Sequence, residues 1–367
     1  MSDAYGAAGV DYDTLDAAKR LAINLAAATH AQPGARGATI VAATIGEPAT
    51  LLEVGGLTLA VVLECLGTKS MIAREVADVL GLDRWEAVGI DTVAAIVNDL
   101  CCVGALPLTI NAYFATGAAE WYSGGRHHSL VQGFSEACSR VGAAWVGGES
   151  PTLSGLIDPD QIDLAGSALG RVPDGAARWQ GAALRPGDEI VFVASSGLHA
   201  NGASLARALA ASPSSCPGGW GAQLPSGRAF GDAVLDASVL YPPLVEALYR
   251  AEVPVHYASH VTGHGLRKVM RADRDLTYRI ARVPDVPEVL SFLSSRAGLE
   301  TREAYGTLNM GVGFAVFVAA DAGAAAVATA EASGYSAIVA GLVEEGPRRV
   351  VIEPLGFEFA SGELELR

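Results

Sequence analysis

Acidic side chains follow apolar segments at three separate places in the sequence. Glu64 comes near the end of "LTLAVVLECLG", Asp99 interrupts "IVNDLCCVGA", and Glu149 follows "WVGG". Carboxylates from separate segments can converge on Mg²⁺, a hard cation that also takes phosphate oxygens. Lys69, five residues after Glu64, could neutralise phosphate charge. These four residues together predict a site for metal ions and phosphates, although a solvated turn residue equally explains each acid taken singly.

The segment around Asp99 is predicted to be a helix that packs on a sheet. Five apolar positions between residues 90 and 101 recur with helical spacing. Asp91 and Asn98 are seven residues apart, so they fall on another face, about 10 Å apart along the axis. Asp91 is alternatively a first-turn carboxylate that the helix dipole favours. Asn98 and Asp99 are mid-helix residues of poor helix propensity, and a partly buried carboxylate is costly unless it is paired, which favours a functional role.

Glycine-containing turns adjoin two of these acids. Gly67 and Thr68 stand between Glu64 and Lys69, and Gly147 and Gly148 precede Glu149. Strand ends that lead into such turns are where proteins with sheets and helices often build their sites. Neither common nucleotide-binding pattern is present, because "GTKS" lacks the Gly-Lys-Ser/Thr order and no G-x-G-x-x-G follows a strand. A nucleotide would therefore bind by another route.

Two further motifs carry polar side chains at predicted helix starts, and the first of them, "SSGLHANG", also follows a predicted strand. In "SSGLHANG", backbone N–H groups at the helix start can bind a substrate phosphate, and His199 could donate a hydrogen bond or transfer a proton. A capping loop with a structural histidine is the alternative. "HVTGHG" is interpreted in the same way, or as an ordinary glycine-rich helix entry. The candidate substrate-binding residues are Ser195, Ser196, His199, Asn201, His260 and Thr262.

Composition excludes several classes of protein. The net charge of −15 argues against a sequence-independent nucleic-acid binder, which needs a basic surface. No C-x-x-C pair or histidine cluster supplies a zinc pattern, and the five cysteines are interpreted as reduced thiols of a cytoplasmic protein. No signal peptide is recognised, and the most apolar run is cut by Asp321, which argues against a membrane span. Half of the residues are hydrophobic, which is enough for a large core.

The chain is predicted to form two domains, residues 1–171 and 172–367. The segment 172–188 is rich in Gly, Pro and Ala and lacks apolar periodicity, so it is interpreted as the connection. Before it, helical patterns at 71–80, 88–105 and 128–142 follow apolar strands. After it, strands and helices alternate, with one helical region near 232–251, which suggests an α/β layer.

Seven motifs in one order resemble the aminoimidazole ribonucleotide synthetase family, also called phosphoribosylformylglycinamidine cyclo-ligase. "VGGESPTLSG", for example, is similar to the family's Val-Gly-Gly-Glu-Thr-Ala-Glu-Met-Pro-Gly. The wider superfamily includes selenophosphate synthetase, a hydrogenase maturation enzyme and thiamine-phosphate kinase. The motifs are "AYGAAGVD" (4–11), "LGTK" (66–69), "GIDTVAAIVNDLCCVGALPLTINAYFATG" (89–117), "VGGESPTLSG" (146–155), "SSGLHANGASLAR" (195–207), "SHVTGHGL" (259–266) and "TLNMGVGF" (307–314).

The resemblance implies a fold, an assembly and a reaction. The family has an N-terminal α+β domain, whose sheet pairs with that of a second subunit in a dimer barrel, and a C-terminal α/β domain. ATP and Mg²⁺ bind largely at the N-terminal domain, and the C-terminal domain binds the ribonucleotide amide. ATP phosphorylates the formyl amide oxygen of formylglycinamidine ribonucleotide, and an amidine nitrogen then closes the imidazole ring and expels phosphate.

Matching positions extends these implications to single residues. The implied catalytic residues are Lys69, Asp99 and His199, and the implied metal ligands are Glu64, Asp99 and Glu149. The implied ATP-binding residues are Glu64, Gly67, Thr68, Lys69, Asp91, Asn98, Asp99, Gly147, Gly148 and Glu149.

Four departures from the family pattern keep two other functions open. Glu64 stands where the family has Asp, His264 replaces a glycine, and "SPTLSG" lacks a second Glu. Residues 38–54 contain little of the glycine found in the family. The alternatives are a paralogue that activates another amide or phosphate acceptor with ATP, and a nucleotide-binding relative without catalysis.

Overall fold

The first half of the chain forms one six-stranded sheet in the computed structural model, which describes residues 21–364. Its strands are β1 (Ala38–Ile40), β2 (Thr50–Val54), β3 (Leu57–Cys65), β4 (Leu106–Thr116), β5 (Ala144–Glu149) and β6 (Ile162–Arg171). The order is β1-β2-β3-β6-β4-β5, and only β4 and β5 pair in parallel among these strands. The motif "AYGAAGVD" lies outside the described residues.

Three helices accompany this sheet: α1 (Lys69–Leu80), α2 (Trp85–Cys101) and α3 (Gly125–Arg140). Nearly every residue of α2 is buried, because α2 lies between the sheet and α3. Glycines permit this close packing. A Cβ atom on Gly89 of α2 would lie 2.2 Å from the Leu130 carbonyl oxygen, and one on Gly133 of α3 would lie 1.9 Å from that of Glu86.

The other face of this sheet carries exposed apolar side chains. Side chains alternate between the two faces of a strand. Along β3, Ala60 and Val62 are buried, whereas Val61 and Leu63 are 43% and 76% exposed. Leu108 of β4 is also exposed. One face of the sheet therefore belongs to the core, and the other presents an apolar surface.

The second half forms a seven-stranded sheet. Its strands are β7 (Glu189–Ala194), β8 (Val255–His260), β9 (Leu276–Ile280), β10 (Val312–Val318), β11 (Ala337–Glu345), β12 (Arg349–Ile352) and β13 (Phe357–Ala360). The order is β13-β12-β9-β11-β7-β10-β8, and β9 with β12 is the one parallel pair in this sheet. Strands and helices alternate along the chain as predicted. The pairing is nevertheless mainly antiparallel, because alternation does not determine the direction in which each strand enters the sheet.

The helices of the second half are shorter. They are α4 (Ala203–Ala210), α5 (Phe230–Val234), α6 (Pro242–Arg250), α7 (Glu288–Arg296), α8 (Thr301–Tyr305) and α9 (Gly323–Ala332). Short 3₁₀ helices cover Gln32–Arg36, Ala42–Thr44, Ala119–Ser123, Gly181–Ala183, Gly219–Gly221, Gly265–Met270, Glu353–Leu355 and Ser361–Glu363. No helix within residues 21–364 combines the length and the apolar character that crossing a lipid bilayer requires.

The helical region predicted near 232–251 is interrupted. Residues 235–241 form no regular helix between α5 and α6. Proline lacks an N–H group and clashes with the carbonyl four residues earlier, so the Pro242-Pro243 pair cannot continue a helix from α5 and instead begins α6. The interruption leaves backbone N–H and C=O groups that must find partners elsewhere.

Candidate functional site

A cavity of about 590 Å³ lies between the two halves of the chain. The first half contributes the turn from β3 to α1 and one side of α2. The second half contributes the loop that leads into α4 and the segment that follows β8. The predicted residues that line the cavity are Glu64, Gly67, Thr68, Asn98, Asp99, His199, Asn201, His260 and Thr262.

Glu64 and Asp99 form an acidic pair in this cavity. Burial, followed by the nearby charge of Asp99, raises the pKa of Glu64 to about 7. Burial alone would raise the pKa of Asp99. The hydrogen bond from His260 Nδ1, 2.8 Å from Asp99 Oδ1, and the neighbouring positive charges act in the opposite direction and together outweigh burial, so the pKa of Asp99 is lowered. Two adjacent carboxylates are a donor set that fits a hard divalent cation.

Glu149 does not join this pair within one chain. Glu64 is in register with Gly166, Gly166 with Ala112, and Ala112 with Gly148, the residue before Glu149. Three strand spacings therefore separate Glu64 from Glu149, about 14 Å. Ligands of one Mg²⁺ ion lie about 2 Å from it, so this separation of the two backbones does not favour an ion shared by the two carboxylates. Only Glu64 and Asp99 of the predicted metal ligands lie together in this cavity, and the contribution of Glu149 stays a prediction; no cluster of three or more potential metal-binding side chains occurs within residues 21–364.

Gly147 and Gly148 also lie away from the cavity, on the edge strand β5. A Cβ atom on Gly148 would lie 2.0 Å from the carbonyl oxygen of Ala112 on β4. A side chain at position 148 would therefore force the two parallel strands apart. This contact gives Gly148 a structural reason to be glycine, and the predicted nucleotide contact of both glycines stays a prediction.

Lys69 is buried and paired in this structure, and its predicted contact with a phosphate stays a prediction. Its ammonium Nζ lies 2.7 Å from Asp91 Oδ2, and neither side chain is exposed. Nζ also donates a hydrogen bond to the Asp236 carbonyl oxygen, and Asp91 Oδ1 accepts one from the Ser238 backbone N–H at 2.7 Å. This ion pair connects the first half of the chain to the segment between α5 and α6. Neither residue lines the cavity.

Asn98 connects the same two parts of the molecule. Its Nδ2 donates to the Val239 carbonyl oxygen at 2.8 Å, and its Oδ1 accepts from the Tyr241 N–H at 2.9 Å. The Asn98 amide thus provides partners for backbone groups that the interrupted helix cannot satisfy. Part of Asn98 also lines the cavity, so its predicted contact with nucleotide or metal remains a prediction beside this structural role.

His199 presents a hydrogen-bond donor rather than a proton acceptor. Its Nε2 accepts from the N–H groups of Ser196 at 3.2 Å and Val239 at 3.4 Å, which assigns the ring hydrogen to Nδ1. Nδ1 is buried and has no hydrogen-bond partner among the described residues. Burial, with the charges of His260 and Lys69, lowers the pKa of His199 well below its ordinary value. Of the two roles predicted for His199, the geometry favours hydrogen-bond donation by a neutral ring.

The hydroxyl groups of the preceding serines hold the loop in place. Ser195 Oγ donates to Asn309 Oδ1 at 2.9 Å, and Ser196 Oγ donates to the Ala237 carbonyl oxygen at 2.6 Å. Neither serine lines the cavity. Thr68 Oγ1 and Ser204 Oγ lie 3.2 Å apart, so the turn after β3 contacts the start of α4. The hydroxyl groups of Ser195 and Ser196 therefore already donate hydrogen bonds within the protein, and the substrate contacts predicted for these two serines stay predictions.

The sequence interpretation missed three charged residues of the cavity. Lys268 Nζ donates to Thr262 Oγ1 at 3.1 Å, and burial, with the nearby charge of Arg271, lowers the pKa of Lys268 to about 8. Arg271 Nε lies 3.3 Å from Glu47 Oε2, and Glu47 belongs to the segment 38–54 that departs from the family pattern. The basic run "LRKVMR", directly after "HVTGHG" in an acidic chain, was the signal that could have revealed Lys268 and Arg271.

Comparison with protein families matches both halves of the chain. Residues 46–172 match the family described as AIR synthase related protein, N-terminal domain, and residues 185–353 match the corresponding C-terminal domain. A phosphoribosylformylglycinamidine cyclo-ligase of Oceanobacillus iheyensis is 33% identical, over 94% of this chain and 98% of that protein. The cyclo-ligase of Carboxydothermus hydrogenoformans is 31% identical, over 95% and 98%.

Solved structures share the fold at lower identity. The hydrogenase maturation protein HypE in complex with ATP aligns with a TM-score of 0.57 and 19% identity, over 84% of this chain and 85% of that one. A thiamine monophosphate kinase of Aquifex aeolicus aligns with a TM-score of 0.51 and 15% identity, over 85% and 92%. At such identities the likeness establishes the fold alone.

Proposed function

We propose, from the premise that this chain belongs to the AIR synthase related family, that it converts formylglycinamidine ribonucleotide and ATP to aminoimidazole ribonucleotide, ADP and phosphate. The alignments with relatives that carry the cyclo-ligase name cover nearly the whole of this chain and nearly the whole of each relative. The observation that carries the proposal is the cavity between the two halves, in which the acidic pair faces the polar loops of the second half. The chain is accordingly an ATP-dependent ligase of purine biosynthesis.

The reaction has two steps. The formyl amide oxygen attacks the γ-phosphorus of ATP, the bond to ADP breaks, and ADP leaves. The amidine nitrogen then attacks the activated carbon, the C–O bond breaks, and inorganic phosphate leaves as the imidazole ring closes. Phosphoryl transfer depends mainly on positioned charge, and the cavity supplies charged and hydrogen-bonding groups from both halves.

Glu64 and Asp99 would hold Mg²⁺, which supplies charge neutralisation at the phosphates when bound. His260 orients Asp99 through the hydrogen bond to Oδ1. We assign the Nδ1–H group of His199 to an oxygen of the substrate, since this buried donor has no protein partner among the described residues. The backbone N–H groups at the start of α4 are assigned to a substrate phosphate, as at other helix N-termini.

We propose a homodimer formed through the first sheet. The support is the apolar face of β3 and β4, where Leu63 is 76% exposed while the opposite face belongs to the core. A second copy of the same sheet would cover this face, and a two-fold arrangement is the commonest for identical chains. The subunits would then form the dimer barrel that the resemblance implies.

The cytoplasm is the proposed location of the enzyme. All five cysteines are unbridged, which supports a reducing compartment. The proposed partners are thus the small-molecule substrates and a second copy of the chain, with neither nucleic acid nor membrane.

The test is an ADP-release assay with direct detection of the imidazole product. Purified protein with Mg-ATP and formylglycinamidine ribonucleotide should form ADP and aminoimidazole ribonucleotide in equal amounts, and omission of the ribonucleotide should abolish ADP release. Turnover only with a different amide would instead identify a paralogue. Glu47, a carboxylate of the altered segment that lines the cavity, is the feature that would explain such a change of substrate. ATP binding without turnover on any amide would identify a relative without catalysis.

A further inference from the structure

Lys268 is a cation of the cavity that the mechanism above leaves without a role. Lys69 is ion-paired with Asp91, and Arg271 is ion-paired with Glu47. No carboxylate lies within ion-pair distance of Lys268 among the described residues, although Asp99 and Glu64 are near enough to affect it electrostatically. Its Nζ donates one hydrogen bond, to Thr262. An ammonium group has three donors, so two remain for a ligand.

The backbone that carries Lys268 is firmly held. The Ser259 hydroxyl donates to the Lys268 carbonyl oxygen at 2.8 Å. At the start of the same 3₁₀ helix, Gly265 packs so closely that a Cβ atom would lie 2.2 Å from the Tyr305 carbonyl oxygen. Since the backbone is held at these two points and Nζ is hydrogen-bonded to Thr262, the ammonium group is presented to the cavity from a defined position, as recognition of a charged ligand requires.

The neighbouring groups define the charge of the ligand. Thr262, to which Lys268 is hydrogen-bonded, offers a hydroxyl group to the same cavity, and His199 contributes a buried Nδ1 that has no hydrogen-bond partner within residues 21–364. A ligand with negatively charged oxygens would provide acceptors for these donors. A phosphate group fits this chemistry, and both substrates of the proposed reaction carry phosphates.

We propose that Lys268, rather than Lys69, is the lysine that binds a phosphate oxygen in this cavity. This inference rests on the proposed function, because the substrates of that reaction supply the two candidate phosphates, those of the nucleotide and that of the ribose. Lys69 is excluded because its ammonium group is fully buried against Asp91 and Asp236. Lys268 lines the cavity and keeps donors available.

The lysine content makes a chemical test direct, because the sequence contains only Lys19, Lys69 and Lys268. Pyridoxal 5′-phosphate combines a phosphate with an aldehyde that forms an imine with an amine and releases water, and borohydride then reduces the imine. The folded, full-length protein is modified first and then digested. Peptide mass mapping should show modification at Lys268 and none at Lys69. Modification of Lys69 in preference to Lys268 would overturn the proposal.

Protection experiments identify the source of the phosphate. Mg-ATP or formylglycinamidine ribonucleotide should reduce the modification of Lys268 at least several-fold, and whichever protects is the ligand whose phosphate Lys268 binds. Adenosine, which lacks phosphate, should not protect. Protection by neither phosphate compound, or equal protection by adenosine, would contradict phosphate recognition.

Variants give an independent measurement that needs no turnover. Lys268→Met should weaken calorimetric binding of the protecting compound by about 10- to 100-fold, as expected when a charge-assisted hydrogen bond is lost. Lys268→Arg should restore part of the affinity. Arg267→Met is the matched control, since it removes a charge from the same 3₁₀ helix, where the Arg267 guanidinium lies over the Phe359 ring. Equal affinity in Lys268→Met and wild type would overturn the proposal.

The two hypotheses fail separately. Modification and protection of Lys268 without imidazole formation would contradict the proposed function and support the binding role. Normal imidazole formation by Lys268→Met, with unchanged KM for both substrates, would support the function and contradict the role of Lys268.

Discussion

At the scale of single residues, the acidic pair shows how a buried carboxylate can be retained in a helix. Asp99 is mid-helix and buried, yet the hydrogen bond from His260 keeps its pKa low, whereas the pKa of Glu64 is raised to about 7. Asp99 therefore loses its proton at a lower pH than Glu64 does. A divalent cation would favour the charged form of both and would relieve their mutual repulsion.

Asp99→Asn should abolish most of the activity and preserve the fold. The amide oxygen can still accept the hydrogen bond from His260, but the negative charge is lost, so we expect kcat to fall about 100-fold or more. Asp160→Asn, at a carboxylate that is 70% exposed, is the control and should leave kcat unchanged. Turnover of Asp99→Asn near the wild-type rate at saturating Mg²⁺ would show that Asp99 does not bind the metal ion.

His199 should make the wild-type protein more sensitive to acid. Its pKa in the folded state lies well below the ordinary value of 6.5, because it is buried beside His260 and Lys69. The unfolded chain therefore binds a proton near pH 6.5 that the folded chain does not, and the free energy of unfolding falls as the pH drops below that value. Urea unfolding at pH 8, 7, 6 and 5 should show that the free energy of unfolding of His199→Asn rises relative to that of the wild type as the pH decreases. A constant difference between the two proteins would contradict the lowered pKa.

At the scale of elements, α1 and α2 hold the interrupted segment between α5 and α6. Lys69, Asp91 and Asn98 all bind backbone atoms or side chains of residues 236–241. These contacts replace the hydrogen bonds that a continuous helix would have made. The polar residues that break the apolar pattern of α2 therefore join the two halves of the chain, as well as approaching the cavity.

Lys69→Met should destabilise the protein by about 3–5 kcal/mol, because it leaves Asp91 buried without its cation. The double variant Lys69→Met/Asp91→Asn should lose less free energy of unfolding than Lys69→Met, since no unpaired buried charge remains. Urea unfolding of the single and double variants measures the difference. If Lys69→Met is as stable as wild type but inactive, Lys69 acts on a phosphate, as the sequence suggested.

At the scale of the whole molecule, the exposed face of the first sheet predicts association. The Leu63 side chain is 76% exposed on this face, and Leu63→Asp places a charge there. We expect the wild type to scatter light as a dimer at micromolar concentration and Leu63→Asp to scatter as a monomer. Leu342→Asp, at an apolar residue of β11 that is 46% exposed, is the matched control and should remain dimeric. A fully active wild-type monomer would contradict the dimer.

Features that depend on local order could be predicted from the residues alone. A short apolar run predicted β3, helical spacing predicted α2, and the turn motifs predicted the loops that line the cavity, because each pattern lies within a few consecutive residues. The ordered motifs also identified the family that the comparisons establish.

Which charged groups contact one another depends on the packing of distant segments. Asp91 and Ser238 are 147 residues apart in the chain, and no local pattern connects them. The register across β3, β6, β4 and β5 separates Glu64 from Glu149, although both follow similar apolar runs. The same long-range packing buries Lys69 and brings Lys268 into the cavity. The partner of a buried charge depends on how distant segments pack, and that packing is settled by the energy of the whole core rather than by the residues beside it.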